Sequence, residues 1–187
     1  MGQLPDFVRT ARLTMRTWQV ADAPALASAI AASVDHLTPW MPWVEFEPLS
    51  LVDRVNLIAQ WDADWRAGGD VILGIFVDGV IAGGSGLHRR AGPDTLEIGY
   101  WIHVDFVRRG YATEAARALT DRAFTIADIE RVEIHHDRAN VASEGVPRAL
   151  GFELEAEAPD AITAPGEEGI DCTWATTRGR WITRVVE

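Results

Sequence analysis

Hydrophobic and polar positions alternate most cleanly from Thr95 to Val104. Leu96, Ile98, Tyr100, Ile102 and Val104 fall on one face, and Glu97, Gly99, Trp101 and His103 on the other. That is the period of a strand with one buried face. Arg12 to Trp18 alternates in the same way, with Leu13, Met15 and Thr17 against Arg12, Thr14 and Arg16, and predicts a half-buried strand. VILGIFV, Asp78-Gly79 and VIAGGSGL predict a hairpin, because Asp-Gly accepts the positive φ angles of a two-residue turn. Further strands are expected at Arg131 to Asp137, near Phe152 to Ala158 and at Ile170 to Thr177, the last two separated by the acidic loop PDAITAPGEEG.

Helical periods lie between these strands. Asp22 is placed to cap a helix through ALASAIAASV, with Pro24 tolerated in its first turn. The segment TPWMPWVEFEP cannot be regular helix. Ser50 and Asp53 have capping-box spacing ahead of Leu51 to Arg66, where Leu51, Val55, Ile58, Trp61 and Trp65 recur every three or four residues. That spacing puts Trp61 and Trp65 on a core face. After Gly110, a narrow face of Ala112, Ala115, Ala116, Leu119, Ala123 and Phe124 predicts a helix. Asn140 is placed to cap a short helix to Leu150, ended by Gly151. With no repeat or long linker, residues 1–187 read as a single α/β domain.

Composition narrows the chemistry. The 28 acidic and 17 basic residues give a net charge of −11, a field that repels nucleic acid and favours cationic or neutral substrates. All 17 basic residues are Arg, which excludes Schiff-base and lysine-nucleophile chemistry. The single Cys172 has neither a disulfide partner nor thiols with which to build a zinc site, so no metal is expected and Cys172 reads as a small buried residue. No apolar run is long enough to span a membrane, and the N-terminus lacks a signal-peptide stretch. The expectation is a cytoplasmic protein, monomer or homodimer, without membrane or nucleic-acid partners.

Two stretches carry candidate chemistry. In VDFVRRGYATEA a strand passes into a helix through Arg108, Arg109 and Gly110. Free N–H groups and a helix positive end converge there on a site suited to a phosphate, and the two arginines offset the protein's negative field. A capped helix start with solvated arginines fits the spacing equally well. No P-loop or G-x-G-x-x-G is present. In NVASEGVPRALGF, Asn140 and Ser143 lie three apart, so both polar tips can meet one ligand; an N-cap Asn and an exposed Ser are the plainer alternative.

Together these stretches resemble the GNAT superfamily of acetyl-CoA-dependent N-acetyltransferases, and more narrowly its RimJ/RimL-like branch of ribosomal-protein N-terminal acetyltransferases. The resemblance runs from ARLTMRTWQVAD through TPWMPW and EIGYWI to N-x-x-S-x-x-V-P-x-x-LGF. It implies a mixed, mostly antiparallel seven-stranded sheet flanked by about four helices. The strand of Trp101, Ile102, His103 and Val104 would pair with the pantetheine amides and splay from Val132 to Asp137, opening a V-shaped cleft. Arg109, Gly110, Tyr111, Ala112 and Thr113 would wrap the coenzyme pyrophosphate, with Arg108 beside them. Many family members carry a Tyr donor in the helix before Gly-Phe; here Pro147 stands there, and the branch implies instead that Ser143 meets the CoA sulfur and Asn140 holds the pantetheine arm.

The reaction requires a neutral amine, a stabilised oxyanion and help for the departing thiolate. An α-amine of pKa about 8 needs less help than a lysine amine near 10.4. Glu97 is the expected base, directly or through water, with pairing to an arginine as the alternative. His135 and His136, adjacent on a strand, point to opposite faces and suit chelation poorly. Trp40, Trp43 and Glu45, with Glu47 nearby, are expected to wall the pocket of a cationic amine or peptide N-terminus. Two rival functions stand beside this one: a serine hydrolase, from the near-elbow GGSGL around Ser85, and a noncatalytic acyl-CoA sensor.

Overall fold

The computed structural model describes residues 2–185. Eight strands form one sheet in the order β1-β2-β3-β4-β5-β6-β8-β7. They are β1 (Phe7–Arg9), β2 (Thr14–Thr17), β3 (Val71–Val77), β4 (Val80–His88), β5 (Thr95–Ile102), β6 (Arg131–Asp137), β7 (Glu153–Pro159) and β8 (Ile170–Thr177). Five helices accompany them: α1 (Ala23–Leu37), α2 (Leu51–Arg66), α3 (Tyr111–Ala123), α4 (Val141–Leu150) and α5 (Arg178–Val185). The expected fold class is present, with one strand and one helix more than predicted. Both additions are terminal and short. Three-residue β1 is too brief to show a period, and α5 follows β8 directly, anchored by buried Trp181, whose Nε1–H donates to Asp121 at 2.6 Å.

Local chemistry explains most boundaries. Asp78 and Gly79 take φ angles of 49° and 82° in the β3–β4 turn, as their sequence requires. Ser50 caps α2 by accepting the Asp53 N–H at 3.1 Å. Asp22 does not cap α1 as expected: its carboxylate is held by Arg16 at 2.6 Å and accepts the Gln19 N–H, so a single 3-10 turn, Val20–Asp22, precedes the helix. Of the two α2 tryptophans expected on the core face, Trp65 is buried, whereas Trp61 is half-buried and faces a cavity.

The sheet is antiparallel except where β5 meets β6. That parallel pairing is confined to Thr95↔Arg131, Leu96↔Val132 and Glu97↔Glu133. Residues 98–102 of β5 stay paired with β4, and residues 134–137 of β6 with β8, so the sheet opens between them. One face of the opening is covered by α3, whose small residues Ala115, Ala116 and Ala123 with Leu119 pack fully buried against the sheet. On the other face Leu26 and Ile30 of α1 and Ile58 of α2 pack with Trp18, Phe76 and Ile81. No helix among the described residues is long and apolar enough to cross a membrane.

Candidate active site

A cavity of about 840 Å³ runs through the opening between β5 and β6. Its lining brings together Glu97, Trp101, Asn140 and Ser143 with Trp40 and Trp43. Ile102, His103, Val104 and the loop from Arg108 to Thr113 lie outside the lining, past the end of β5. Glu45 is exposed and also outside it, a departure from the expected acceptor wall: the turn Pro42–Phe46 directs Glu47 inward instead, where it pairs with buried Arg54 at 2.5 Å.

Past β5 the chain builds an anion cradle. Arg108 and Gly110 both have positive φ, 57° and 77°, and turn the backbone so that α3 starts abruptly at Tyr111. The first intrahelical bond is Glu114 N–H to the Gly110 carbonyl, 3.0 Å. The N–H groups of Tyr111, Ala112 and Thr113 precede it and face outward from the helix end. No side chain caps this end. Arg12, which the sequence alone did not single out, braces the loop. It donates to the Arg109 carbonyl at 3.0 Å, pairs with Glu114 at 2.5 Å, and lies 4.8 Å over the Tyr111 ring. Free N–H groups and the helix dipole suit this end to phosphate groups, and the edge of β5 left unpaired beyond Glu97 leads to it. The residues therefore fit acetyl-CoA.

Where β5 passes α4, a tyrosine takes over a helix bond. Asn140 caps α4 by accepting the Ser143 N–H at 3.1 Å. Pro147, four residues after Ser143, has no N–H, so the Ser143 carbonyl lacks its normal helical donor. Tyr100 supplies one: its hydroxyl lies 3.2 Å from the Ser143 carbonyl and 3.0 Å from the Ser143 Oγ. Burial pushes the Tyr100 pKa up to about 12, against the Ser143 hydrogen bond, so the phenol keeps its proton. α4 carries no tyrosine, and the phenol that reaches it comes from β5. Pro147 inside the helix was the signal that a side-chain donor must be nearby.

The opposite face of β5 is charged. Glu97, 9% exposed, receives two hydrogen bonds from Arg90, one from Nε at 2.6 Å and one from the terminal nitrogen. Burial raises the Glu97 pKa, but Arg90 outweighs it and holds the carboxyl below its ordinary range. A carboxylate so engaged is a weak proton acceptor, and the arginine pairing weighed from sequence is what forms. His135 is also committed: its nitrogens meet Asp171 at 2.9 Å and Glu133 at 3.0 Å. Burial lowers its pKa, yet the two carboxylates raise it overall. His136 is bonded on both nitrogens, to the Asp137 carbonyl and to Trp174 Nε1–H.

The glycines of GGSGL form a floor. A methyl on Gly84 would lie 2.5 Å from Trp101 Nε1, and one on Gly86 2.8 Å from His88 Nε2. A bulge lies beside them, as a register shift where Ile75 pairs with Gly83 and Phe76 with Ile81. Ser85 sits mid-strand and donates to the Gly99 carbonyl at 2.7 Å, which leaves nothing of the hydrolase elbow. Cys172 is buried, and burial with Glu157 beside it pushes its pKa up to about 11, the state of an unreactive thiol. Among the described residues no group of three or more His, Cys, Asp or Glu is arranged to hold a metal.

A sheet that opens beside an uncapped helix start is the architecture of an acyl-CoA-dependent transferase. The sequence pattern of the acetyltransferase (GNAT) domain matches residues 12–153, and the chain belongs to the GNAT acetyltransferase family. It is similar to the Bacillus subtilis (strain 168) protein named "Putative ribosomal N-acetyltransferase YdaF", with 30% identity over 82% of this chain and 85% of that one. Among solved structures it resembles RimL, a ribosomal alpha-N-protein acetyltransferase, in complex with coenzyme A (TM-score 0.83, 21% identity, 91% of this chain and 97% of that one). It also resembles the microcin self-immunity acetyltransferase MccE in complex with acetyl-CoA and AMP (TM-score 0.84, 22% identity, 94% and 98%). As a member of that family, the chain is an acyltransferase that uses acetyl-CoA.

Proposed function

We propose that this protein transfers the acetyl group of acetyl-CoA to a primary amine, a protein N-terminus or a small-molecule amine, by direct attack in a ternary complex. The observation that carries the proposal is the cavity that crosses the sheet. One face of β5 offers neutral donors in Tyr100 and Ser143, and the other opens into a chamber walled by Trp40, Trp43 and Trp101. Aromatic faces and a negative field suit an ammonium group. In this mechanism the pyrophosphate lies on the α3 end, and the pantetheine arm follows β5 past His103, Ile102 and Trp101 with Asn140 alongside. Ser143 Oγ–H, backed by Tyr100, donates to the departing sulfur. Glu97 keeps charge balance with Arg90 rather than taking the proton. RimL is a ribosomal alpha-N-protein acetyltransferase, which makes peptides with free α-amines the first acceptors to try. The proposal includes a cytoplasmic location, supported by the lone buried Cys172, and a monomer or homodimer.

Thiol release from acetyl-CoA, measured against Ser-, Ala- and Met-initiated peptides, spermidine and phenethylamine, tests the proposal, with calorimetry of acetyl-CoA binding in parallel. Amine-dependent release is expected. Tight binding without release for every amine identifies a coenzyme sensor instead.

A further inference from the structure

Freeing an ammonium for attack needs a proton acceptor in the chamber, and Glu97 is committed to Arg90. We propose that His88 is this base and that Asp70 positions it, an assignment that rests on the amine-acetyltransferase function proposed above. His88 ends β4, directly opposite Glu97. Its Nδ1 lies 2.7 Å from Asp70 Oδ2, and the other oxygen of Asp70 accepts the Arg89 N–H at 2.8 Å. Burial raises the Asp70 pKa, but these hydrogen bonds and the imidazole outweigh it and lower it overall. An ionised Asp70 can only accept, so the neutral ring carries its proton on Nδ1 and its lone pair on Nε2.

The direction of the ring is fixed by two glycines. His88 Nε2 lies over Gly86 and Gly99, which face each other across β4 and β5; methyls there would stand 2.8 and 3.3 Å from it. Gly99 is two residues beyond Glu97, past the point where β5 and β6 separate. Its neighbour Tyr100 holds Ser143 on the opposite face. Base and thiolate donor therefore flank one peptide unit of β5 from its two sides, where a thioester in the opening would lie. Among the described residues nothing hydrogen-bonds Nε2, and His88 lines the cavity. His135 and His136, the other cavity histidines, have both nitrogens occupied. The charged groups around His88 are Asp70 before β3, Glu97 on β5, Arg90 after β4, and His135 on β6 through its field at Glu97.

In the step, His88 Nε2 takes one proton from the ammonium. The nitrogen lone pair forms the N–C bond to the acetyl carbonyl, and the C–S bond breaks with its electron pair on sulfur. The amide nitrogen sheds its second proton, which neutralises the thiolate to the free thiol, and His88 returns the first to solvent. Overall an ammonium and a thioester give an amide, a thiol and one proton.

The full-length protein with His88→Ala is assayed by thiol release with the fastest amine of the panel above. The expected result is a fall in kcat/KM of about 10²- to 10⁴-fold with unchanged calorimetric affinity for acetyl-CoA. Added imidazole restores part of the rate, and the rate climbs with pH as the amine loses its proton unaided. Asp70→Asn, which favours the wrong tautomer, costs roughly tenfold or more. If His88→Ala does not fold, His88→Gln is read in the same way. Wild-type kcat/KM in the variant, or a loss that imidazole does not repair in a folded, acetyl-CoA-binding protein, overturns the assignment. Absence of turnover with every amine in the unsubstituted protein overturns the function itself.

Discussion

Helices α3 and α4 both start at the cleft, one after β5 and the other after β6, and they handle their first turns in opposite ways. α4 closes its own end with Asn140 and sends Ser143 toward the opening. α3 begins at a left-handed glycine with no side-chain cap and leaves three N–H groups for something else. A capped start delivers a side chain, whereas an uncapped one delivers backbone and dipole. In the proposed function, gripping diphosphate and steering sulfur divide along that line.

The division is broken most severely at Gly110. Gly110→Val forces a β-branched residue into φ 77° and disturbs the cradle. The KM for acetyl-CoA should rise roughly 10- to 100-fold, the worth of one or two charged hydrogen bonds, while kcat at saturation changes little. An unchanged affinity removes α3 from the donor site. Ser143→Ala probes the other helix and should lower kcat about tenfold with acetyl-CoA affinity intact. Tyr100→Phe should cost about threefold alone and little more in the Ser143→Ala background, because coupled groups are not additive; additive losses would separate the two hydroxyls. Asn140→Ala should remove about 1 kcal/mol of stability, seen as a lower denaturation midpoint, with less effect on turnover than Ser143→Ala.

The smallest effect sharpens the account of the strand between the helices. Glu97 has a lowered pKa, so its pairing stabilises the protein above the ordinary carboxylate range, and that contribution is lost as pH falls through the lowered value. Glu97→Gln should therefore destabilise by about 1 kcal/mol at neutral pH, and the difference from wild type should vanish in strongly acidic urea titrations. A difference that persists in acid would mean that packing, not charge, is what Glu97 contributes.

Much of the framework was legible because it is local. The alternation of β5, the Asp78-Gly79 turn and the Gly110 helix start each depend on residues close in sequence. Positions that depend on distant contacts were not. Arg12 and Glu114 are 102 residues apart, and Asp70 and His88 join across β3 and β4 with no spacing rule to announce them. That Glu47 rather than Glu45 turns into the cavity is not legible, because a 3-10 turn has no phase that can be read from composition. The alternation places Tyr100 on the inner face, yet it does not announce that the hydroxyl meets the Ser143 Oγ and a Ser143 carbonyl from which a proline on another element withholds an N–H.

The sheet is stitched across its middle by just three residue pairs. Such a seam is where the two halves would shear first, and an extended ligand lying along it would act as extra rungs on a ladder. Coenzyme binding should then harden the whole molecule, slowing amide exchange in β3 and β8, to either side of the seam, as well as at the cleft, so that heat resistance becomes a gauge of occupancy.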